Sequence, residues 1–124
     1  MARHNELGTW GEDIACEKLI TDGHAICERN WRVGHYEIDI ITMRGNRIIF
    51  VEVKTRTDNY VDPLESIDKK KILHMIRSAN AYIKRYNIPH EPQFDIMLIT
   101  GTPQSGYQIE HIEDAFLAPL TTIR

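Results

Sequence analysis

The chain has 124 residues, a formal net charge of −3, and 42% hydrophobic and 27% charged residues, which is typical of one globular domain. We therefore expect a single domain over residues 1–124. No apolar run is long enough to span a bilayer, and no apolar segment follows Met1–Asn5, so neither a membrane anchor nor a signal peptide is expected. Cys16 and Cys27 lack a metal-ligand spacing, and the histidines form no i, i+4 pair. This pattern argues against a zinc site and favours a reduced, cytoplasmic setting.

Helical periodicity and capping residues predict two main helices. Asn5 can cap a first helix that runs to about Thr21, before the Asp22-Gly23 stop signal. The second is the clearer one: apolar residues recur at helical spacing after a candidate cap at Asp68, and the pattern ends before Pro89. A short helical piece over Glu113–Leu117 is also expected.

Runs rich in β-branched and aromatic residues predict the strands. The predicted strands are Ala25–Trp31, Tyr36–Thr42, Arg47–Lys54, Phe94–Thr100 and Tyr107–Ile112. A loop over Thr57–Pro63 separates the third strand from the long helix. The order is αβββαβ with a small C-terminal addition, which indicates an α/β fold with a mixed β-sheet flanked by helices.

The second and third strands form a hairpin that carries charges in an apolar context. Gly45-Asn46 between them is the signal for a two-residue type II′ turn. With that turn, opposed residue numbers sum to 91, so Asp39 faces Glu52 and Glu37 faces Lys54. By strict alternation these four charges share one sheet face with Ile41 and Phe50, whereas Ile38, Ile40 and Val51 lie on the other face.

Two directly opposed carboxylates repel each other on a sheet, and a hard divalent cation removes that cost. Mg²⁺ prefers carboxylate oxygens and retains several waters. Such an ion can polarise a phosphoryl oxygen and lower the pKa of water, and Lys54 can orient that water or stabilise charge on a phosphate. The alternative is a solvated face on which the same residues form cross-strand ion pairs.

Glu12 is a further candidate on the first helix. Leu7, Trp10, Ile14, Ala15 and Leu19 form a broad apolar arc, and Glu12 lies at its edge, apart from the other acids of the helix. Nearby, Gly8 and Gly11 can allow a close approach to another backbone. A carboxylate at the edge of a core is either a paired structural group or a member of a site.

Taken together, these segments resemble the YraN family. The motifs that carry the resemblance are Gly8-x-x-Gly11-Glu12, Asn30-x-Arg32, Glu37-Ile38-Asp39, Phe50-Val51-Glu52-Val53-Lys54-x-Arg56, Lys71 with Ala79, Phe94-Asp95 and Ala115-Phe116. They follow one another over nearly the whole chain with matching gaps. That family is similar to PD-(D/E)xK nucleases of the restriction-endonuclease-like fold, and in particular to archaeal Holliday junction resolvases.

The resemblance implies roles for individual residues. Asp39 and Glu52 would hold a Mg²⁺ ion, with Mn²⁺ as a substitute, and Glu12 would complete the site. Lys54 would act on the water or the phosphate. Outside this set, Arg56 and Lys71 become candidates for contact with a nucleic-acid backbone, Glu37 becomes a partner of Lys54, and Asp95 is expected to be structural. A homodimer is also implied, because a Holliday junction is two-fold symmetric, although no patch in the sequence identifies its interface.

The chain departs from the family pattern at three positions. Tyr36 replaces the usual glycine before Glu37, and its ring can narrow the approach to a metal or stack on an unpaired base. Gln93 stands where arginine is frequent, and Asp62 where glycine is common. None of these changes touches Glu12 or the acids and lysine of the hairpin, so they bear on substrate geometry more than on chemistry.

Three functions remain open at this point. The first is a Mg²⁺-dependent phosphodiesterase acting on DNA that is branched or single-stranded. The second is a nucleic-acid-binding module that keeps the fold but cleaves little. In the third, a structural or protein-interaction role, the charges form only an ion-pair network. The negative net charge is unusual for a nucleic-acid binder, although local clusters such as Lys69-Lys70-Lys71 are basic.

Overall fold

The part of the chain that the structure describes forms one mixed five-stranded sheet with a helix on each face. The computed structural model describes residues 2–57, 62, 64–65 and 67–116, with the side chains of residues 2–5 excepted. The elements are α1 (Ala2–Thr21), β1 (Ala25–Val33), β2 (Tyr36–Arg44), β3 (Arg47–Arg56), α2 (Lys69–Tyr86), β4 (Glu91–Thr102) and β5 (Gly106–Phe116). Within the described ranges, neither helix is long and apolar enough to cross a bilayer.

The sheet order is β1-β2-β3-β4-β5, and only the β3–β4 pair is parallel. This order confirms the predicted α/β architecture and the mixed sheet. α2 begins at the predicted cap, because the Asp68 carboxylate accepts a hydrogen bond of 2.8 Å from the Lys71 amide. The Asn5 cap is wrong, since α1 already begins at Ala2. The predicted loop over 57–63 lies mostly outside the described residues.

The C-terminal helical piece is also wrong. Its described part, residues 113–116, belongs to β5, while Leu117 lies outside the described residues. Phe116 pairs with Phe94, and their rings stack with centroids 5.0 Å apart. The register shifts between Phe94 and Ile96, opposite an Asp114 with a φ of 54°. Because the bulge accommodates the extra residues, residues 113–116 continue β5 although their local sequence favours a helical turn.

The β2–β3 hairpin has the predicted register near its turn. Gly45 has a φ of 60°, and Arg44 pairs with Arg47. The ladder then continues to the pair of Ile40 with Val51. Each of these pairs sums to 91, as the sequence predicts.

Two apolar cores lie on the two faces of the sheet. α1 packs on one face with Ala15 and Leu19, and α2 packs on the other with Met75 and Ala79. The prediction that Ile38 lies on the face opposite Ile41 is wrong, because Ile38 and Ile41 both belong to the α2 core. Ile40 belongs to the α1 core, so strict alternation fails between Ile38 and Ile41. Asp39 lies within this irregular step.

Gly11 sets how closely α1 approaches β3. A Cβ atom at Gly11 would overlap the Thr55 hydroxyl and lie 3.2 Å from the Thr55 Cβ. At Gly8, by contrast, no atom lies within 4 Å of such a Cβ. A close approach therefore occurs at Gly11, directly before Glu12, although its partner is the Thr55 side chain and not the backbone that the sequence predicts.

We expect Gly11→Ala to destabilise the protein by about 1–3 kcal/mol, because overpacking displaces α1 from β3. The matched control Gly8→Ala should stabilise it by up to about 1 kcal/mol, since alanine has the higher helix propensity. The Gly11→Ala/Thr55→Ala double variant should recover part of the stability that Gly11→Ala loses. Urea denaturation measures all of these differences. Equal stability of Gly8→Ala and Gly11→Ala would contradict the close approach.

Candidate metal-binding site between helix α1 and the hairpin

The hairpin strands separate where the acids begin. The described β2–β3 ladder stops at the pair of Ile40 with Val51, so the expected direct pairing of Asp39 with Glu52 is replaced by another contact. Asp39 Oδ2 accepts a hydrogen bond of 2.8 Å from the backbone N–H of Val53. The side chain of Asp39 thus occupies the place of a backbone acceptor, and the gap between the strands opens toward α1.

Glu52 is buried and lies between two lysines. Its side chain is 5% exposed, and the Lys54 Nζ lies 3.5 Å from Oε2. Lys71, on α2, places its Nζ 3.5 Å from Oε1. No described group forms a hydrogen bond of ordinary geometry with Oε1. The buried carboxylate is therefore paired with charge on both sides and left without a close donor at one oxygen.

Glu12, Asp39 and Glu52 line one pocket of about 230 Å³, together with Lys54 and Arg56. Burial raises the pKa of Asp39 to about 8, and the charges of Glu52 and Glu12 act in the same direction. The Val53 N–H and the charge of Lys71 oppose that rise in the pKa. The ionised form of Asp39 is consequently destabilised first by burial and then by its acidic neighbours.

Glu12 is held by two residues of β1, Arg29 and Asn30, to which the sequence assigns no role, although Asn30 belongs to the Asn30-x-Arg32 motif. Arg29 Nη2 lies 3.6 Å from Glu12 Oε1 and 2.9 Å from Asp13. Burial raises the pKa of Glu12, while a hydrogen bond with Asn30 and the charge of Arg29 lower it. Asn30 has a φ of 53° within a strand, where a left-handed conformation is unusual. The sequence signal for this contact was Asn30 itself, a polar residue inside the predicted strand Ala25–Trp31 and part of the Asn30-x-Arg32 motif.

The pocket fits a hard divalent cation through its donor chemistry. Glu52 Oε1 is a buried acceptor without a hydrogen-bond donor among the described residues, and Asp39 lies beside a second acid. Throughout the described ranges, no group of three or more His, Cys, Asp or Glu side chains is close enough to form a ready-made metal site. Mg²⁺ uses one or two protein carboxylates and keeps its remaining waters, so Asp39 and Glu52 are the residues that would hold such an ion.

The other candidate residues lie around this pocket. Glu37 pairs with Arg32 at 2.9 Å instead of forming the expected contact with Lys54. The ring of Tyr36 lies 4.4 Å from that of His74, on α2. Arg56 lines the acid pocket, and its Nη1 donates to the Thr55 carbonyl at 3.1 Å.

A second depression adjoins the acid pocket on the α2 side. This lysine groove has a volume of about 480 Å³, and its polar lining consists of Lys54, Glu65, Asp68, Lys70, Lys71 and His74. Lys54 lines both the groove and the acid pocket, so the two share a border. A larger cavity of about 540 Å³ lies at the turn end of the hairpin, beside Gly45-Asn46, and is remote from the acids.

Asp95 has the structural contacts that the sequence predicts. It is fully buried, and its Oδ2 lies 2.7 Å from the His111 Nε2 on β5. Its Oδ1 accepts hydrogen bonds from the Asp114 amide at 3.0 Å and from Gln93 at 2.9 Å. These contacts join β4 to β5 at the bulge, away from the acid pocket.

Several bacterial proteins are similar to this chain over nearly its full length. A UPF0102 protein of Bacteroides thetaiotaomicron is 42% identical over 121 residues, which cover 97% of this chain and 99% of that protein. A relative from Parabacteroides distasonis is 40% identical over 120 residues, which cover 96% of this chain and 98% of that protein. A relative from Christiangramia forsetii is 41% identical over 117 residues, which cover 94% of this chain and 98% of that protein.

Among solved structures, Pyrococcus furiosus SfsA in complex with Ca²⁺ shows a distant similarity. The TM-score is 0.38 and the identity 17%, and the alignment covers 89% of this chain but only 63% of SfsA. Residues 11–99 match the family described as "Uncharacterised protein family UPF0102". This match confirms the resemblance to the YraN family at the level of the family itself. The chain belongs to the uncharacterised protein family UPF0102.

Proposed function

We propose that this protein is a Mg²⁺-dependent phosphodiesterase that cleaves nucleic acid, with DNA that is branched or single-stranded as its substrate. One observation carries the proposal: acids from three elements, Glu12 on α1, Asp39 on β2 and Glu52 on β3, line a single pocket with Lys54. Acidic oxygens beside one lysine are the donor set expected for a hard cation that acts on a phosphate.

Each residue has a distinct task in the proposed reaction. Asp39 and Glu52 would hold the cation, and Glu12 would complete its coordination from α1. Bound Mg²⁺ supplies Lewis acidity, which polarises a phosphoryl oxygen and lowers the pKa of water. Lys54 borders both the acid pocket and the lysine groove, so its ammonium can orient the attacking water or stabilise charge on the phosphate.

The element order also supports the proposal. The αβββαβ series over α1 to β4 has the order of the restriction-endonuclease-like core, in which PD-(D/E)xK nucleases carry their acids and lysine on a central hairpin. In this chain the corresponding elements are Asp39 on β2 and the Glu52-Val53-Lys54 segment of β3. Asp39 lies where the two strands separate, which leaves space for a substrate phosphate between the strands and α1.

A second candidate function is a nucleic-acid-binding module without cleavage. The observation that favours it is the engagement of Glu12 with Arg29 at 3.6 Å, together with the lack of a ready-made cluster of three ligands among the described residues. In that case the lysine groove would still attract a phosphate backbone. The negative net charge predicts modest and salt-sensitive affinity for either function.

A panel of nucleic-acid substrates tests the proposal. Single-stranded DNA, a flap, a four-way junction, duplex DNA and RNA should each be incubated with Mg²⁺ or Mn²⁺, with Glu52→Ala as the matched control. The phosphodiesterase proposal predicts metal-dependent cleavage of at least one substrate, and no cleavage by Glu52→Ala. If the wild type binds a substrate and a divalent ion but never cleaves, the binding-module candidate replaces it.

Lys54→Ala should separate metal binding from turnover. The lysine contacts Glu52 but is not a metal ligand, so we expect Mn²⁺ affinity by calorimetry to equal or exceed that of the wild type. The rate of cleavage should fall by about 100-fold or more, because the variant lacks the ammonium that stabilises the negative charge developing on the phosphate. Retention of full cleavage would assign the Lys54 ammonium a purely structural role.

A further inference from the structure

We propose that Lys71 is an internal counterion of Glu52 that a divalent cation displaces, after which its ammonium contacts a substrate phosphate in the lysine groove. The inference rests on the proposed function, because it needs a cation at Glu52. It adds a role for a residue of α2, outside the hairpin that carries Asp39, Glu52 and Lys54.

The contact between Lys71 and Glu52 is suited to exchange. The Nζ lies 3.5 Å from Oε1, whereas strong charged hydrogen bonds are about 2.7–2.9 Å long. Oε1 is buried and accepts no hydrogen bond from the described residues, so the ammonium neutralises the carboxylate without a close donor. A divalent cation binds such an oxygen more strongly than a lysine at this distance does.

Lys71 and Lys54 reach Glu52 from different elements of the fold. Lys54 lies on the same strand as Glu52, two residues on, and its side chain is 27% exposed. Lys71 reaches Glu52 from α2, across the lysine groove, and its side chain is 34% exposed. A flexible four-carbon stem allows its ammonium to turn from Glu52 into the groove without a change in the backbone.

The groove offers a destination that suits a phosphate. Lys69, Lys70 and Lys71 occupy the first turn of α2, which contains no acidic residue. The helix dipole favours acids at this end, so three lysines there reduce helix stability. Lys70, Lys71 and His74 line the groove, beside the ring contact of His74 with Tyr36. Lys54, Lys70 and Lys71 outnumber Glu65 and Asp68 in the groove lining, so a phosphodiester there would meet a net positive charge.

Metal and nucleic acid should consequently bind with positive coupling. In the metal-free protein the charge of Lys71 is engaged by Glu52, and in the metal-bound protein it is available to the groove. A ligand that releases a group needed by a second ligand strengthens the second binding event, and the effect is reciprocal.

The first test is calorimetric titration of metal-free protein with Mn²⁺. We expect Lys71→Met to bind Mn²⁺ about tenfold more tightly than the wild type, because the competing charge beside Glu52 is removed. Lys70→Met removes the same charge from the same groove without touching Glu52, and we expect its affinity to stay within about twofold of wild type. Lys71→Arg retains the charge and should behave like the wild type.

The second test uses a Lys54→Ala background, in which turnover is expected to be lost. Mn²⁺ should tighten the binding of a fluorescein-labelled thymidine oligonucleotide, and Lys71→Met should remove that tightening. Lys70→Met should weaken oligonucleotide binding equally with and without Mn²⁺.

Two outcomes would overturn the inference and can be told apart. If the wild type binds Mn²⁺ and Lys71→Met binds it no more tightly, the counterion role is wrong while the proposed function stands. If the wild type binds no divalent ion, both are wrong.

Discussion

Replacement of Asp39 by asparagine is expected to abolish divalent-metal binding and, at the same time, to stabilise the metal-free protein at high pH. Burial and the charge of Glu52 raise the pKa of Asp39 to about 8. Because the pKa in the folded state exceeds the ordinary value of 3.8, protonated Asp39 contributes stability below pH 4. That contribution is lost as the pH rises toward 8.

Asparagine cannot ionise, and its carbonyl can still accept the hydrogen bond from Val53. One unit of pKa corresponds to about 1.4 kcal/mol, and water and the lysines relax part of the penalty, so we expect Asp39→Asn to be about 2–3 kcal/mol more stable than wild type at pH 9. Urea denaturation in chelator between pH 5 and 9 measures the difference. The exposed acid of α1, Glu17, provides a control, since Glu17→Gln should leave the pH dependence unchanged. If the free energies of unfolding of the wild type and Asp39→Asn follow parallel curves against pH, the ionised form of Asp39 is not destabilised by its surroundings.

The second large effect is expected at Glu52. Glu52→Gln should lower Mn²⁺ affinity by about 100-fold and abolish cleavage, because a charged first-sphere ligand is lost. Its effect on stability should have the opposite sign to that of Asp39→Asn. Lys54 and Lys71 both lie 3.5 Å from Glu52, so the variant leaves two lysines without their counter-charge.

We expect Glu52→Gln to destabilise the metal-free protein by about 1–2 kcal/mol, less than for a fully buried pair because the lysines are partly exposed. Denaturation in chelator at pH 7 measures this value, and Mn²⁺ calorimetry on the same preparation measures the affinity. Stabilisation by Glu52→Gln would mean that Lys54 and Lys71 do not compensate the cost of burying the Glu52 carboxylate.

The hairpin illustrates how far local sequence rules reach. The Gly45-Asn46 turn and the apolar alternation give the correct register from Arg44 to Ile40. The same rules fail at Asp39, where the strands separate and the side chain binds the Val53 amide. Repulsion between Asp39 and Glu52 can be read from the hairpin, but the pocket that α1 forms against these acids cannot. At the other end of the sheet, the bulge at Asp95 overrides the helical preference of residues 113–116 in the same way.

The candidate site was only partly accessible from the sequence. Glu12 could be identified as an acid at the edge of an apolar arc, apart from the other acids of α1. Its approach to the hairpin depends on the fit of Gly11 against Thr55 on β3. The sequence assigns Arg29 and Asn30 no role in the site, because charged and polar residues on an edge strand are usually solvated. Lys71 was proposed as a backbone contact, whereas its position against Glu52 depends on how α2 packs over the sheet.

Calorimetric titration of the wild type with Mn²⁺, beside Asp39→Asn and Glu52→Gln, tests the central claim most directly. The proposed site predicts saturable binding of about one ion per chain in the wild type, since Mg²⁺-type sites use one or two carboxylates. Binding should be lost in Asp39→Asn and about 100-fold weaker in Glu52→Gln, although both variants remain folded. Absence of Mn²⁺ binding to the wild type, or undiminished binding to both variants, would contradict a metal site at Asp39 and Glu52.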